Sequence, residues 1–148
     1  MNQPADNNPI FTIKGQYVKD LSFENPQAPK SLLPQQERPK IDINIDLKAK
    51  KLQDDLFELV MNIGAKALSG DDPLFLVELA YCGMFGMQNM PQEKIEPILF
   101  VDCPFVLFPF ARRVIGDVTR DGGFPPLMLE PIDFHRLYKE KQMKLQNA

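Results

Sequence analysis

Few residues in this sequence could carry chemistry by themselves. The thiols are Cys82 and Cys103, and the one histidine is His135. The spacing of the two cysteines matches neither a metal knuckle nor a disulfide framework. Cys103 precedes Pro104, where a helix can begin, and a helix N-terminus favours a thiolate. Free cysteine is nevertheless among the most commonly buried residue types, so reduced, inert thiols are the expectation. His135 has no second histidine and no Cys/Asp/Glu cluster beside it to complete a metal site. The glycine pairs Gly83/Gly86 and Gly122-Gly123 lack the Lys-Ser/Thr or G-x-G-x-x-G context of a phosphate loop. Asp54-Asp55 and Asp71-Asp72 are adjacent in turns, where solvation accounts for them. No catalytic residue, metal ligand or cofactor is assigned, and an enzyme is disfavoured.

What the sequence does contain is patterned charge and surplus apolar surface, and both depend on the elements that carry them. A chain of 148 residues is long enough for one core that buries roughly 70% of the unfolded surface. Residues 10–146 are expected to form a single domain after a disordered N-terminus over residues 1–9. A net charge of -3 argues against nucleic acid, whose phosphates call for clustered Lys and Arg. No apolar run reaches the 18 or so residues of a membrane span, so no direct membrane insertion is expected. Residues 1–13 show no basic segment followed by an apolar one, which makes the cytoplasm the expected compartment.

Proline occurs 14 times. Because proline removes a backbone donor, the longer gaps between prolines mark where regular structure can run. In the first gap Phe11, Ile13, Tyr17, Leu21 and Phe23 alternate with Thr12, Lys14, Gln16, Asp20, Ser22 and Glu24, which is a half-buried strand. Ile41, Ile43, Ile45 and Leu47 alternate with Asp42, Asn44, Asp46 and Lys48 in a second strand. A third runs on from Leu56, with Gly64 as a candidate bulge. The fourth, from Leu74 to Met87, is apolar on both faces. Short polar links join strands two, three and four, whereas residues 26–39 carry four prolines and suit a Greek-key crossover.

The period then becomes helical. Leu107, Phe110, Ala111, Val114, Ile115 and Val118 form one stripe. Asp133 is a candidate cap for a last helix whose stripe is Phe134, Leu137, Tyr138 and Leu145. Between the helices, residues 124–129 form an apolar loop that either seals a core or lines a binding surface. The expected fold is therefore α+β: a four-stranded antiparallel sheet with a Greek-key-like crossover, followed by two amphipathic helices.

Two surface features follow. The apolar surplus exceeds what one sheet face can hide, which fits burial between copies of the chain, a groove for apolar ligands, or both. Asp20, Glu24, Asp42, Asp46, Glu58 and Glu78 occupy the even-numbered strand faces, opposed mainly by Lys14, Lys48 and Lys66. They form either a solvated face or a docking site for a basic partner.

These residues also carry a family resemblance. Tyr17-Val-Lys-Asp-Leu-Ser-Phe-Glu-Asn-Pro-Gln-Ala-Pro29, Phe75-Leu-Val-Glu78 with Gly83-Met-Phe85, Cys103-Pro-Phe-Val-Leu-Phe-Pro-Phe-Ala-Arg112, and Phe124-Pro-Pro-Leu127 with Pro131-Ile-Asp-Phe134 resemble, in that order, the bacterial protein-export chaperones of the SecB family. The resemblance spans residues 10–138. It implies a homotetramer, a dimer of dimers, that holds unfolded secretory precursor proteins in the cytoplasm without nucleotide or cofactor and delivers them to the translocation ATPase SecA.

By motif, SecA binding carries over to Asp20, Glu24, Leu76 and Glu78. A client groove carries over to Ile41, Ile43, Ile45, Phe124, Leu127, Met128, Leu129, Phe134, Leu137 and Tyr138. The interface between copies carries over to Val77, Leu79 and Tyr81 with Phe110, Val114, Ile115 and Val118 of the first helix. The sequence departs from the family in having Gln36, Glu37 and Arg38 where a tryptophan is usual. The rival readings are an oligomeric scaffold or adaptor without client holding, and a small-molecule binder or enzyme using Cys103 and His135.

Overall fold

The computed structural model describes residues 7–34 and 37–146. Residues 1–6, which make up most of the expected disordered segment, and Gln36 lie outside that description. Four strands, β1 (Ile10–Glu24), β2 (Lys40–Gln53), β3 (Leu56–Ser69) and β4 (Asp72–Gln88), form one antiparallel sheet in the order β1-β4-β3-β2. This is the Greek-key order expected of the long proline-rich link, because β1 skips two neighbours to lie beside β4.

The crossover contains a single 3-10 turn, Lys30–Leu32. It runs past the end of the sheet where β3 turns into β4, held there by Gln27 Nε2 donating to the Pro73 carbonyl at 3.2 Å and Asn25 Nδ2 donating to the Gly122 carbonyl at 3.2 Å. The two hairpins close through two-residue turns, Asp54-Asp55 and Gly70-Asp71. Asp55 and Gly70 adopt φ of 61° and 62°, the left-handed conformation that a twisted hairpin requires and that Gly and Asp tolerate.

The register corrects two expectations. Gly64 is not a bulge: it pairs regularly with Asn44 and Glu78, and the break in β3 lies between Ala67 and Leu68. Strand β1 carries two breaks, between Ile13 and Gly15 and between Val18 and Asp20. Each inserted residue reverses the alternation. Between the breaks, therefore, Gln16 and Val18 join the face of Tyr81, while Tyr17 moves to the opposite face beside Cys82. The buried Tyr81 hydroxyl finds its partner this way, donating to Gln16 Oε1 at 3.1 Å. The second break restores the original phase, so Leu21 and Phe23 face inward with Leu79 and Val77.

The helical part starts earlier than its periodicity suggested. Helix α1 (Gln92–Pro97) leads through a π-helical stretch (Ile98–Asp102) into α2 (Cys103–Asp121). Pro104 has no N–H to offer, and the Cys103 N–H reaches back to the Ile98 carbonyl, so the helix widens at this point. Helix α3 (Phe134–Gln146) is capped as expected, with the Arg136 N–H donating to Asp133 Oδ1 at 3.1 Å.

Helix α2 presents Cys103, Leu107, Ala111, Ile115 and Thr119 to the odd-numbered sheet face, where Leu59, Met61, Ile63, Val77, Leu79, Tyr81 and Phe85 are buried. Each large apolar side chain so buried contributes about 1.5–3 kcal/mol. Four residues expected at the interface between copies, Val77, Leu79, Tyr81 and Ile115, thus lie inside the chain's own core. The reason is topological: β4 is an interior strand, and α2 roofs its inner face. Of the other α2 residues expected there, Phe110 is exposed, whereas Val114 and Val118 are half-buried and pack against the core.

Thr119 is a core residue that the apolar periodicity passed over. Its buried hydroxyl lies 2.9 Å from the Ile115 carbonyl and 3.0 Å from that of Gly116, and it accepts the Leu127 N–H at 2.9 Å. Thr119 ties the apolar loop to α2 twice, since its carbonyl also accepts the Phe124 N–H at 3.1 Å. Thr119→Val keeps the shape but strands the Leu127 N–H. We expect it to cost about 1–3 kcal/mol, read as a lower urea midpoint at unchanged slope. An unshifted midpoint would show that the loop does not hang on this bond.

Candidate functional site

The two faces of the sheet are chemically different. On the even-numbered face the register stacks cross-strand rows. Glu24, Leu76, Lys66 and Asp42 share one row, Ser22, Glu78, Gly64 and Asn44 the next, and Asp20, Ala80, Asn62 and Asp46 the third. Five carboxylates therefore gather at one end of this face, around a shallow basin of about 420 Å³ floored by Gly64 and Ala80 and rimmed by Asp20, Asp46, Glu78 and Lys48. Antiparallel pairing brings Asp20, Glu24, Leu76 and Glu78 together here on adjacent strands β1 and β4.

Of the lysines expected to oppose this charge, Lys66 shares a row with Glu24 and Asp42 and Lys48 reaches the basin rim, while Lys14 lies away from it. Lys48 belongs to the row of Tyr17, Cys82 and Val60, and Lys50 to the following row with Glu58 and Met84. Lys14 reaches over Gly86, beyond both. The carboxylates thus outnumber the cations at this end, where Lys66 and Lys40 stand in or beside the row of Glu24 and Asp42 and Lys48 closes the rim of the basin; Lys40 Nζ lies 3.8 Å from Asp42.

Glu58 is not part of the acidic end. It is buried, accepts a hydrogen bond from the Tyr17 hydroxyl, and has Lys19 Nζ at 3.3 Å from Oε1. The Tyr17 hydroxyl, helped by the Lys19 ammonium, holds its carboxyl below the usual range against the opposing effect of burial. Burial, with Glu58 nearby, raises the Cys82 thiol to about 11, and burial also raises Cys103. Because helical structure precedes Cys103 without a break, it does not occupy a free helix N-terminus. Both cysteines remain thiols at neutral pH.

On the other face, β2 is an edge strand, and α3 approaches it across the π-helical stretch. Between them lies a groove of about 200 Å³ with an apolar floor of Ile45, Leu47, Phe100, Leu137 and Tyr138, bordered by Glu140, Lys141 and Lys144. Phe100 stacks on Tyr138 with centroids 6.0 Å apart, and Lys141 Nζ sits 5.2 Å from the Phe100 centroid, a cation–π contact. The surface is apolar, with long, adaptable side chains at its margin.

The residues expected to line a groove divide into separate places. Ile45, Leu137 and Tyr138 meet in it. Ile41 and Ile43 are exposed farther along β2, and Met128 is exposed on the loop. Phe124 packs on Phe75 at 4.9 Å and near Phe23 at 6.5 Å. Leu127 is half-buried. Leu129 and Phe134 are core residues, Phe134 meeting Phe108 edge-on at 5.9 Å. Leu47 and Phe100 are groove residues that the site reading left out. Leu47 continues the isoleucine alternation, whereas Phe100 stands between Pro97 and Pro104 in a stretch that shows neither a period of two nor a helical stripe in sequence.

A third exposed apolar set comprises Ile13, Val18 and Leu21 on the edge strand β1 and Phe110 on α2. Among the described residues no helix is long and apolar enough to cross a membrane, and no group of three or more His, Cys, Asp or Glu side chains is placed to hold a metal.

Residues 4–145 match the family described as preprotein translocase subunit SecB. The chain belongs to the SecB family. It is 52% identical over 133 residues to the protein-export protein SecB of Bartonella bacilliformis, covering 90% of this chain and 84% of that protein. It is 48% identical over 147 residues to the SecB of Maricaulis maris, covering 97% and 86%. Its fold resembles that of a SecB-like chaperone from Mycobacterium tuberculosis, solved with a peptide from an antitoxin, at a TM-score of 0.68 and 16% identity over 82% of this chain and 90% of that one. SecB membership assigns the chain a chaperone role in protein export.

Proposed function

We propose that this chain is an ATP-independent holding chaperone: it keeps secretory precursors unfolded in the groove between β2 and α3 and presents them to SecA through the acidic end of the open sheet face. The observation that carries this reading is the opposition of the two surfaces, an apolar groove on one face of the sheet and gathered carboxylates on the other. Apolar contacts recognise what an unfolded chain exposes without demanding a sequence. They hold it without nucleotide. The peptide carried by the related-fold chaperone of Mycobacterium tuberculosis supports binding of peptide segments.

Residues 10–146 act as one domain in the cytoplasm, and the working unit is a homotetramer, a dimer of dimers. One small groove per protomer binds weakly, but several grooves on one long precursor raise the effective concentration of each further contact. The exposed apolar set on β1 and the outer stripe of α2 are the surfaces such an assembly would cover.

Suppression of aggregation of a denatured presecretory protein, measured by light scattering without ATP, tests the reading. Leu137→Ser with Tyr138→Ser should require several-fold more chaperone for the same suppression, because both side chains floor the groove while the core residue Phe134 is left in place. Undiminished suppression would remove the groove from this role. Leu129, buried in the core, is unsuitable as a probe.

A further inference from the structure

The group that the acidic docking surface leaves unexplained is Glu58. It is a carboxylate only 8% exposed, on the open face but outside the acidic end, and burying a carboxylate is costly unless it is paired. Its partners come from the edge strand two places away. The Tyr17 hydroxyl donates to Oε2, and Lys19 Nζ lies 3.3 Å and 3.4 Å from the two oxygens. In a regular β1, Tyr17 and Lys19 would share the helix-side face, out of reach of Glu58. The two register breaks, on either side of Tyr17 and Val18, bring both across. The second break also leaves Lys19 and Asp20 consecutive on the same face, so an ammonium stands beside one of the carboxylates that define the acidic end.

We propose that Glu58 is a positioning residue for the docking surface: by engaging Lys19 across β4 it keeps that ammonium from pairing with Asp20, and so preserves the negative end that a cationic partner module meets. The inference rests on the reading that SecA docks at this end. It adds a residue that makes no contact with the partner itself. Lys19 is the ready neutraliser of Asp20, next to it in sequence and with its side chain 53% exposed. Lys66 is anchored on β3 in the row of Glu24 and Asp42, two rows from Asp20.

The test is calorimetric titration of purified SecA into the full-length protein at low and at high ionic strength. Glu58→Gln keeps the size and a hydrogen bond to Tyr17 while releasing Lys19. It should weaken binding about three- to tenfold at low salt, with the difference shrinking as salt screens the surface. Lys19→Met alone should leave the affinity within about twofold, because Glu58 already holds that ammonium away from Asp20, and Glu58→Gln with Lys19→Met should likewise return the affinity to within about twofold of the starting protein. A purely structural role for Glu58 would give a loss that is independent of salt and not reversed by Lys19→Met. Either result would overturn the proposal, as would unchanged affinity for Glu58→Gln at low salt. Should Glu58→Gln fail to fold, Glu58→Asp, whose shorter side chain draws the carboxylate back from Lys19, decides in its place: weaker binding at low salt is expected, and unchanged affinity there is equally fatal. Reversal of Asp20 and Glu24 to lysine separates the two levels. If that leaves SecA binding intact, the docking reading falls and this role with it; if it abolishes binding while Glu58→Gln is neutral, only the role of Glu58 falls.

Discussion

Leu79→Asp is expected to abolish the fold, whereas Phe110→Asp should leave a folded chain that no longer assembles. Leu79 is 2% exposed, on the sheet face roofed by α2. Deleting a buried leucine side chain costs about 2–5 kcal/mol, and an unpaired carboxylate left in the same place adds several more. The whole domain is stable by only about 5–15 kcal/mol. Phe110 is 44% exposed on the outer side of the same helix, where substitutions usually stay within about 0.5 kcal/mol. A charge there matters only if a second copy covers it. Circular dichroism melts and light scattering of both variants give the answer. A folded, dissociated Leu79→Asp would mean that the inner face of β4 does serve as the contact between copies. A Phe110→Asp variant of unchanged mass would exclude the outer stripe of α2 from it.

The second large effect concerns delivery. Asp20→Lys with Glu24→Lys changes the charge of the acidic end by four units, replacing attraction for a cationic module with repulsion. Affinity for SecA should fall by about two orders of magnitude at low salt and the loss should lessen as the Debye length contracts below about 8–10 Å. Both residues are exposed on β1 and neither lines the groove between β2 and α3, so suppression of precursor aggregation should be unchanged. If holding were lost together with SecA binding, the two surfaces would not be independent. If SecA binding were unaffected, the acidic end would be a solvated face and nothing more.

The difference between the expected sites and the observed burial of their residues follows one physical rule. Alternation in a strand identifies which residues share a face, but not which face is roofed by the same chain. Val77, Leu79 and Tyr81 are equally apolar whether a second copy or the chain's own helix covers them. Only the placement of β4 between β1 and β3, with α2 above it, decides that they are core. The same rule separates Leu129 and Phe134, which are buried, from Met128, which is exposed a residue away from Leu129.

The sequence by itself determined the four strands, the long crossover, the cap at Asp133 and the shared face of Asp20, Glu24 and Glu78. Each of these rests on local signals: a period of two, prolines that forbid regular structure, and a short polar side chain before a helix. The tertiary structure alone decided three further things. It gathered Asp42 and Asp46 beside Asp20, Glu24 and Glu78, and set Lys14 and Lys50 toward the far end, because the cross-strand register of four strands is not encoded in any one of them. It brought Phe100 against Tyr138 through a π-helical stretch that the surrounding prolines concealed. It reversed Tyr17 by way of two bulges, whose one-residue insertions in β1 add up to one full period of two and so leave the alternation on either side of them in phase.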